Sequence, residues 1–411
     1  MSLKQRAKEI LAHKRIPGID QDSIRADVEE LGRILYSLAK HNPIEEQTIR
    51  MQTRLLYERA QRSLYHPTPL IIRKGLEELV EQLQDILEEK QTTHTFFVQD
   101  QRIKHAQAIP FKHVPYATIH LDRYAYQELC RDVTLIPEKT YETRRVPAQA
   151  STVWNIQQIG AQHIWNKTQG EGVRIGVIDT GIDYTHERLA HCFGEQKGYD
   201  FIHQTNNPLD DNGHGTHVAG TIASREYGVA PQATLYALKI LNKQGMGRES
   251  DFIHACEWAI TENIPLLNAS LGSKTYSPVE EAIIRELTKH GITLVAAAGN
   301  SGVEEYIYPA SYPGVISVGA TDKHKRRATF STKNNRLSFS APGTAITSTA
   351  PGGKTATLQG TSMACPHVSG SIALLHTAYG AEAINKLTRT AETLGDKKEY
   401  GAGLIRPDYA L

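Results

Sequence analysis

Runs of apolar and β-branched residues alternate with amphipathic stretches from Trp154 to Leu411, and this alternation limits the fold more than any other feature of the chain. The runs are short enough for strands, and the stretches between them are long enough for helices. The predicted strands are 173–179, 234–241, 265–271 and 293–298, and the predicted helices are 249–263 and 278–290. Such alternation is typical of a parallel sheet with helices on both faces, so we predict an α/β domain over residues 151–411.

The composition of the 411-residue chain excludes several broad classes of protein. Lys and Arg total 46 against 45 Asp and Glu, and a net charge of +1 creates no strong field for nucleic acid or an anionic membrane. No apolar run reaches the roughly 18–20 residues that are needed to span a bilayer. We therefore predict neither a nucleic-acid partner nor a membrane partner.

The N-terminus and the cysteines indicate a cytoplasmic protein. Residues 1–18 are interrupted by charge every few positions, unlike a secretory signal. The cysteines show no C-x-x-C spacing, so neither a disulfide framework nor a zinc cluster is predicted. They are Cys130, Cys192, Cys256 and Cys365. Free thiols of this kind are typical of a reducing cytosol.

The chain before the α/β domain divides into two parts. Residues 1–92 carry apolar positions at helical spacing and contain no catalytic constellation, so we predict a helical extension whose apolar faces form a core or bind a protein partner. Residues 93–150 change in pattern and predict a small α+β module that ends in a polar, Pro-containing linker. The predicted strands of this module are 95–98, 117–121 and 133–136, with a short helix at 124–131.

Three motifs rich in small residues carry candidate chemistry, and each alone has a plainer explanation. Asp179, in VIDTG, ends a predicted strand, where a carboxylate is held at the sheet edge or merely begins a turn. His214, in DNGHGTHVAG, has the spacing of a metal-binding pair with His217, although no third ligand follows. Ser362, in GTSMACPHVSG, opens an apolar helix either as a nucleophile or as a simple N-cap.

Together the three side chains predict nucleophilic catalysis. A serine hydroxyl becomes an effective nucleophile when a histidine accepts its proton, and a buried carboxylate fixes the tautomer of that histidine. Asp179, His214 and Ser362 supply these groups in the chain order Asp, His, Ser, one of three orders known for such a triad. The sequence therefore predicts Ser362 as nucleophile, His214 as base and Asp179 as the orienting carboxylate.

From Trp154 to Leu411 the chain resembles the subtilisin-like serine proteases, or subtilases. The resemblance lies in three linked motifs, 177–181 (VIDTG), 214–220 (HGTHVAG) and 360–364 (GTSMA), in the order of the family. It implies a subtilisin-like parallel sheet with helices on both faces. It also implies a serine endopeptidase that hydrolyses protein or peptide substrates and needs no cofactor for the chemistry.

The resemblance also assigns the groups that bind the substrate. Asn300, in AAAGNSG, is implied as the side-chain donor of the oxyanion hole, beside the backbone N–H of Ser362. Ser270, Leu271 and Gly272 match the family strand that pairs with the substrate backbone. Pairing of this kind is tolerant of sequence, so specificity is expected from the pockets beside the strand.

The sequence allows two expectations for the pocket that binds the substrate residue before the scissile bond. Ile307 stands where secreted subtilisins often have Gly, which implies a shallow pocket that binds substrate through Ile307. Glu304 or Glu305, by contrast, would favour a basic side chain.

The chain departs from the family at its calcium site. Secreted subtilisins insert a calcium loop after the helix of the catalytic histidine, whereas residues 223–227 here run directly into 228–231 (GVAP). Ala150 falls where a Gln ligand would be, and Asp183 matches a calcium carboxylate without its loop. We therefore predict that the high-affinity site is absent and that catalysis uses no metal, and weaker structural calcium is left open.

Residues 93–147 are similar to the second half of subtilase propeptides, which act as folding chaperones and inhibitors. The resemblance implies a zymogen whose own N-terminal extension inhibits it, with a junction near Ala148-Gln149. We predict autocatalytic cleavage between Arg145 and Val153. Two alternatives stay open: a catalytically silent binding protein on the same fold, and an enzyme that cuts only itself or waits for a partner at residues 1–92.

Overall fold

The computed structural model describes parts of the chain before Val153 and all of it thereafter. The described residues are 94–99, 108–121, 125, 129, 133–143, 146–147 and 153–411. Contacts divide the chain into two units, one of Met1–Phe96 with His120–Thr134 and one of Phe97–Ile119 with Leu135–Leu411. The helical extension predicted over residues 1–92 and most of the helix predicted at 124–131 lie outside the described residues, and the predicted domain boundaries stay predictions.

Among the described residues before the α/β domain there are six short strands. They are β1 (His94–Gln99), β2 (Ile109–Pro110), β3 (Tyr116–Leu121), β4 (Leu135–Pro137), β5 (Thr140–Glu142) and β6 (Val146–Pro147). The first four form a sheet in the order β2-β3-β1-β4, and β1, β3 and β4 lie at or near the predicted strands. Strands β5 and β6 instead pair with strands of the α/β domain.

Seven parallel strands form the central sheet, which confirms the predicted fold class. They are β7 (Arg174–Asp179), β8 (Gly198–Asp200), β9 (Thr234–Lys239), β11 (Leu266–Ala269), β12 (Thr293–Ala297), β13 (Ile316–Thr321) and β14 (Leu337–Pro342), in the spatial order β14-β13-β12-β11-β7-β9-β8. The strands predicted from sequence correspond to β7, β9, β11 and β12. Outside this sheet lie β10 (Met246–Arg248), β15 (Ile346–Ala350) and β16 (Lys354–Gln359).

Helices cover both faces of the sheet. They are α1 (Trp154–Ile159), α2 (His214–Ala223), α3 (Glu249–Thr261), α4 (Pro278–Lys289), α5 (Thr361–Tyr379), α6 (Ala383–Thr390) and α7 (Lys397–Tyr400). Val218 of α2 and Ile372 of α5 join one apolar cluster, and Phe252 of α3 and Ile283 of α4 join a second. None of the helices formed by the described residues has both the length and the apolar composition that crossing a membrane requires.

The carboxyl ends of the central strands lie at one edge of the sheet. Because all seven strands are parallel, the residues that end β7 or follow β11 and β12 come together there. These residues include Asp179, Ser270 and Asn300. The fold thus gathers at one edge groups that are far apart in the sequence.

Candidate active site

Asp179 is the last residue of β7, and its side chain is fully buried. One carboxylate oxygen accepts a hydrogen bond from the backbone N–H of Thr180 at 2.7 Å. The Nδ1 atom of His214 lies 2.8 Å from Oδ1 and 3.0 Å from Oδ2. Because an ionised carboxylate accepts and does not donate, this contact places the imidazole proton on Nδ1 and leaves Nε2 as an acceptor.

His214 is the buried first residue of α2, and its position is fixed by the loop before it. In that loop the buried carboxylate of Asp210 accepts hydrogen bonds from the Thr180 hydroxyl at 2.8 Å and from the backbone N–H of Gly213 at the same distance. Gly215 allows the helix to start close to β7, since a Cβ at this position would lie 2.1 Å from the carbonyl oxygen of Gly181 and 3.2 Å from the Cβ of Asp179.

His217 has a structural environment unlike that of His214. Its Nε2 lies 3.0 Å from the carbonyl oxygen of Ile346 and 3.2 Å from that of Ala356, so this nitrogen donates its proton to backbone. Burial, followed by the proximity of His214, lowers the pKa of His217 to about 3. A metal site shared by the two histidines does not fit this arrangement. In the part of the chain that the structure describes, no group of three or more His, Cys, Asp or Glu is placed to hold a metal ion.

Ser362 lies in the first turn of α5 with its side chain largely buried. Its hydroxyl donates to the carbonyl oxygen of Ser270 at 3.1 Å, and the Ser270 hydroxyl donates to the carbonyl oxygen of Ser362 at 2.9 Å. Cys365, in the next turn, is fully buried with its thiol 3.3 Å from Oδ1 of Asn268, and burial raises its pKa far above the ordinary value for a thiol. Cys365 is therefore a packing residue and not a second nucleophile.

Asn300 lies beyond β12 and contacts the start of α5. Its Oδ1 accepts hydrogen bonds from the backbone N–H of Thr361 at 2.9 Å and from the Thr361 hydroxyl at 3.0 Å. Because the amide oxygen is engaged in this way, the Nδ2 group is the part of the side chain that can donate to a ligand. Gly360, with a φ of 148°, adopts a backbone conformation that side chains rarely permit, and a Cβ there would lie 3.5 Å from Nδ2.

Residues 140–143 of the chain lie beside Gly272 and His214. Strand β5 pairs antiparallel with β10, and on its other side Glu142 and Gly272 exchange backbone hydrogen bonds of 3.3 and 3.4 Å. The next residue, Thr143, donates its backbone N–H to the carbonyl oxygen of Gly245 at 2.8 Å. Its hydroxyl lies 2.8 Å from Nε2 of His214. The segment is thus the middle strand of a small antiparallel ladder that leads to the histidine.

The linker also pairs with the α/β domain after Thr143. Strand β6 pairs antiparallel with β16, so that Val146 lies opposite Gln359 and Pro147 opposite Leu358. Gln359 comes shortly before Ser362 in the chain. Paired backbone therefore lies on both sides of residues 144–145, which themselves are outside the described residues.

Ile307 fills the space between the two segments that border the cleft. A Cβ on Gly272 would lie 2.5 Å from its Cγ2, and one on Gly299 would lie 2.6 Å from its Cγ1. Leu271, between Ser270 and Gly272, is buried in the core, so this strand meets the cleft through its backbone. The two nearby carboxylates are engaged in ion pairs, Glu304 with Lys398 at 2.9 Å and Glu305 with Lys274 at 2.7 Å.

Asp183, which matches a calcium ligand of the family, accepts hydrogen bonds from within the protein at both carboxylate oxygens. Oδ1 of Asp183 accepts from the Thr185 hydroxyl at 2.6 Å, and Oδ2 accepts from the backbone N–H of Gly352 at 2.9 Å. Burial works to raise the pKa of Asp183, but these hydrogen bonds outweigh it and hold the pKa below its usual value. After α2 the chain turns within 224–228, and Ala150 lies outside the described residues.

Two residues of this site, Thr143 and Asp210, were not predicted from the sequence. Thr143 fell in the polar linker, although the alternation of Lys139, Tyr141 and Thr143 on one side of a strand is a usable signal. Asp210 lies outside the three motifs. It positions the loop before His214 through contacts with Thr180 and Gly213 that form only in the folded protein.

Comparisons with known proteins agree with this geometry. A sequence model described as the subtilase family matches residues 170–403. Subtilisin E from Bacillus subtilis is 39% identical over 310 residues, which cover 72% of this chain and 80% of its own. Subtilisin BL from Lederbergia lenta is 40% identical over 270 residues, which cover 63% of this chain and 98% of its own. A thermostable alkaline protease from Halalkalibacterium halodurans is 38% identical over 306 residues, covering 72% and 82%.

Proposed function

This chain belongs to the subtilase family and is a serine endopeptidase, and we propose that Asp179, His214 and Ser362 are its catalytic triad. The observation that carries the proposal is the buried pairing of His214 Nδ1 with both oxygens of Asp179. That pairing leaves Nε2 free of its own proton at the edge of the sheet where Ser362 also lies. Proteins or peptides are the substrates of such an enzyme.

In the proposed mechanism, the Ser362 oxygen attacks the carbonyl carbon of the scissile peptide bond as His214 Nε2 takes its proton. Asp179 keeps the Nδ1 proton in place and balances the charge of the imidazolium. His214 then gives the proton to the leaving amine, and water repeats the sequence on the acyl-enzyme. For the first step the Ser362 hydroxyl has to turn from the Ser270 carbonyl oxygen, to which it donates, towards Nε2.

The tetrahedral intermediate carries a negative oxygen that needs donors. We assign these to Nδ2 of Asn300 and to the backbone N–H of Ser362 at the N-terminus of α5. Thr361 supports the assignment, since its hold on Oδ1 of Asn300 directs the donor end of the amide to other partners. Donors fixed in this way stabilise charge without reorganisation during the reaction.

Substrate backbone is proposed to pair with Ser270, Leu271 and Gly272, as β5 does through Glu142. Ile307, packed against Gly272 and Gly299, closes the space beside this strand and favours small residues before the scissile bond. Glu304 and Glu305 already have lysine partners, so the shallow pocket is the better supported of the two expectations.

We also propose that the chain is an autoinhibited precursor whose N-terminal extension is its first substrate. Thr143 supports this, because its hydroxyl contacts the nitrogen that must accept the Ser362 proton. Since the segment is tethered, its effective concentration is high and even a modest affinity keeps the cleft occupied. The pairing of Thr143 with Gly245 and of Val146 with Gln359 favours a scissile bond between Thr143 and Val146, a range that overlaps the predicted range of Arg145–Val153 only at the bond between Arg145 and Val146.

The proposed function predicts that the purified 411-residue chain shortens with time and gains activity towards a protein substrate. The Ser362→Ala chain should stay full length under the same conditions, because only the enzyme's own serine makes the cut. Mass spectrometry and N-terminal sequencing of aged protein measure the result. A fully active chain that stays uncut would show that the extension is a permanent accessory region.

No cofactor is proposed for catalysis, and no high-affinity structural calcium. EDTA is therefore expected to shift the melting temperature by less than about 3 °C, which corresponds to roughly 1 kcal/mol in a domain of this size. The hydrogen bonds that occupy both oxygens of Asp183 support this expectation. A drop of about 10 °C that added calcium reverses would contradict it.

We propose a cytoplasmic location, where the free and buried thiols of Cys192, Cys256 and Cys365 suit a reducing environment. Residues 1–92, outside the described residues, are proposed to bind a protein partner through their apolar faces.

A further inference from the structure

Away from the triad, two buried carboxylates lie at the N-terminal ends of neighbouring helices. Glu249 is the first residue of α3 and Glu280 lies in the first turn of α4, and neither side chain is exposed. Both helix N-termini favour negative charge. With Thr275, Tyr308 and Tyr312 these two residues form what we call the acidic pocket.

The acidic pocket is occupied by Lys139, whose side chain is only 4% exposed. Its ammonium forms an ion pair with Glu280 and donates to the carbonyl oxygen of Thr275 at 2.9 Å. The same nitrogen lies 5.6 Å from the ring centre of Tyr308 and 5.7 Å from that of Tyr312. A carboxylate, a carbonyl and two aromatic rings are together a suitable environment for a buried ammonium group.

Glu249 is the second carboxylate of the pocket and contacts the backbone of Lys139. Its Oε2 accepts the backbone N–H of Lys139 at 3.3 Å, whereas its buried Oε1 has no hydrogen-bond partner among the described residues. Burial, followed by the charge of Glu280, raises the pKa of Glu249 to about 7, and Lys139 acts in the opposite direction. While the segment covers the site, loss of the ammonium would leave the Glu280 carboxylate desolvated beside Glu249 with no counter-charge, which is strongly unfavourable.

The extended segment 139–143, which includes β5, connects the acidic pocket with His214. Lys139, Tyr141 and Thr143 alternate along one extended segment, so their side chains lie on the same side of it. Tyr141 is fully buried with its ring 5.3 Å from that of Phe252, and its hydroxyl donates to Glu280. Lys139 and Tyr141 therefore meet at one carboxylate, while Thr143 reaches His214.

We propose that the acidic pocket is a substrate subsite that binds a lysine side chain. It selects peptides in which this lysine lies two residues before a tyrosine and four residues before the residue that contacts His214, as Lys139 does relative to Tyr141 and Thr143. In the precursor this subsite holds the chain's own Lys139. After cleavage it takes the lysine of another polypeptide bound in the same register. The inference rests on the proposed function, since a new peptide enters only after the segment has left the cleft.

The test starts from the full 411-residue chain and uses it once it has processed itself and become active towards casein. The probes are three capped peptides that copy residues 137–143 (PEKTYET), with lysine, norleucine or arginine at the position of Lys139. Norleucine keeps the alkyl chain and removes only the ammonium. Removing one partner of a buried ion pair is expected to raise the inhibition constant Ki by about 30-fold. Arginine keeps the charge, but its wider planar group is expected to bind less well than lysine.

The enzyme side of the pair is tested with Glu280→Gln, which keeps the size of the side chain and removes its charge. The ratio of Ki values for the norleucine and lysine peptides should fall from about 30 to about 3 or less. Glu286→Gln is the matched control, because Glu286 lies on the same helix and pairs with Lys289 at its surface. This variant should keep the wild-type ratio. If Glu280→Gln does not fold, the three peptides on the wild-type chain still decide the question.

The outcomes separate the two proposals. An active chain that binds the lysine and norleucine peptides equally overturns the lysine subsite and leaves the proposed protease intact. The same holds if Glu286→Gln abolishes the preference as fully as Glu280→Gln. A wild-type chain that never hydrolyses casein overturns the proposed function and the subsite with it.

Discussion

Ser362→Ala is expected to lower kcat for peptide hydrolysis by about 10⁶-fold, the scale known for loss of the nucleophile in subtilisin. The variant removes the oxygen that would form the acyl-enzyme. Among the described residues, the Oγ of Ser362 makes one hydrogen bond that the variant loses, to the carbonyl oxygen of Ser270. Stability should therefore change little. Initial rates on a fluorogenic peptide and a thermal melt measure the two effects separately.

The matched control is Ser371→Ala on the same helix. The Ser371 hydroxyl is buried and has no hydrogen-bond partner among the described residues, so its removal leaves no broken contact. This variant should retain activity within about twofold, as expected when no bond is lost. His214→Ala should lose about as much activity as Ser362→Ala, and the double variant little more, because the two residues act as a unit. Near-wild-type rates in Ser362→Ala would remove Ser362 from the role of nucleophile.

Four strands of the central sheet, β7, β9, β11 and β12, and the residues at their carboxyl ends could be predicted from sequence for a physical reason. Parallel strands buried on both faces require continuous apolar runs, as in β7, and such runs are visible without any knowledge of long-range contacts. Asp179 and His214 each lie at the boundary of an element and beside small residues that permit close approach. Gly215 is an example, because the Cβ that it lacks would collide with the Gly181 carbonyl oxygen.

The resemblance implies that the extension inhibits the enzyme, but the individual contacts of the segment in the cleft could not be predicted. The Lys139–Glu280 ion pair and the contact of Thr143 with His214 join distant parts of the chain, and they depend on the register of β5 against β10 and Gly272. A shift of one residue would turn the other side of this segment towards the pocket. Alternation predicts a strand but not its partner, so the acidic pocket was visible only after folding.

Asp179→Asn tests whether the carboxylate of Asp179 orients His214 and stabilises its charged form. The variant keeps the shape of the side chain and removes its charge. An asparagine can present its N–H₂ group to Nδ1 and so favour the tautomer in which Nε2 carries the proton, which prevents His214 from accepting the proton of Ser362. It also leaves the imidazolium of the transition state without its counter-charge. The expected loss in kcat is about 10⁴-fold, less than for Ser362→Ala because the nucleophile remains.

This loss should appear in kcat with KM nearly unchanged, because the buried Asp179 carboxylate is hydrogen-bonded to His214 and Thr180, whereas substrate is proposed to pair with the backbone at Gly272. Asp322→Asn is the matched control, since that carboxylate forms a surface ion pair with Arg326 and should alter neither constant. Steady-state kinetics of the three proteins on one peptide provide the comparison. If Asp179→Asn raised KM and kept kcat, Asp179 would act in substrate binding, and the assignment of His214 as a base oriented by a carboxylate would be wrong.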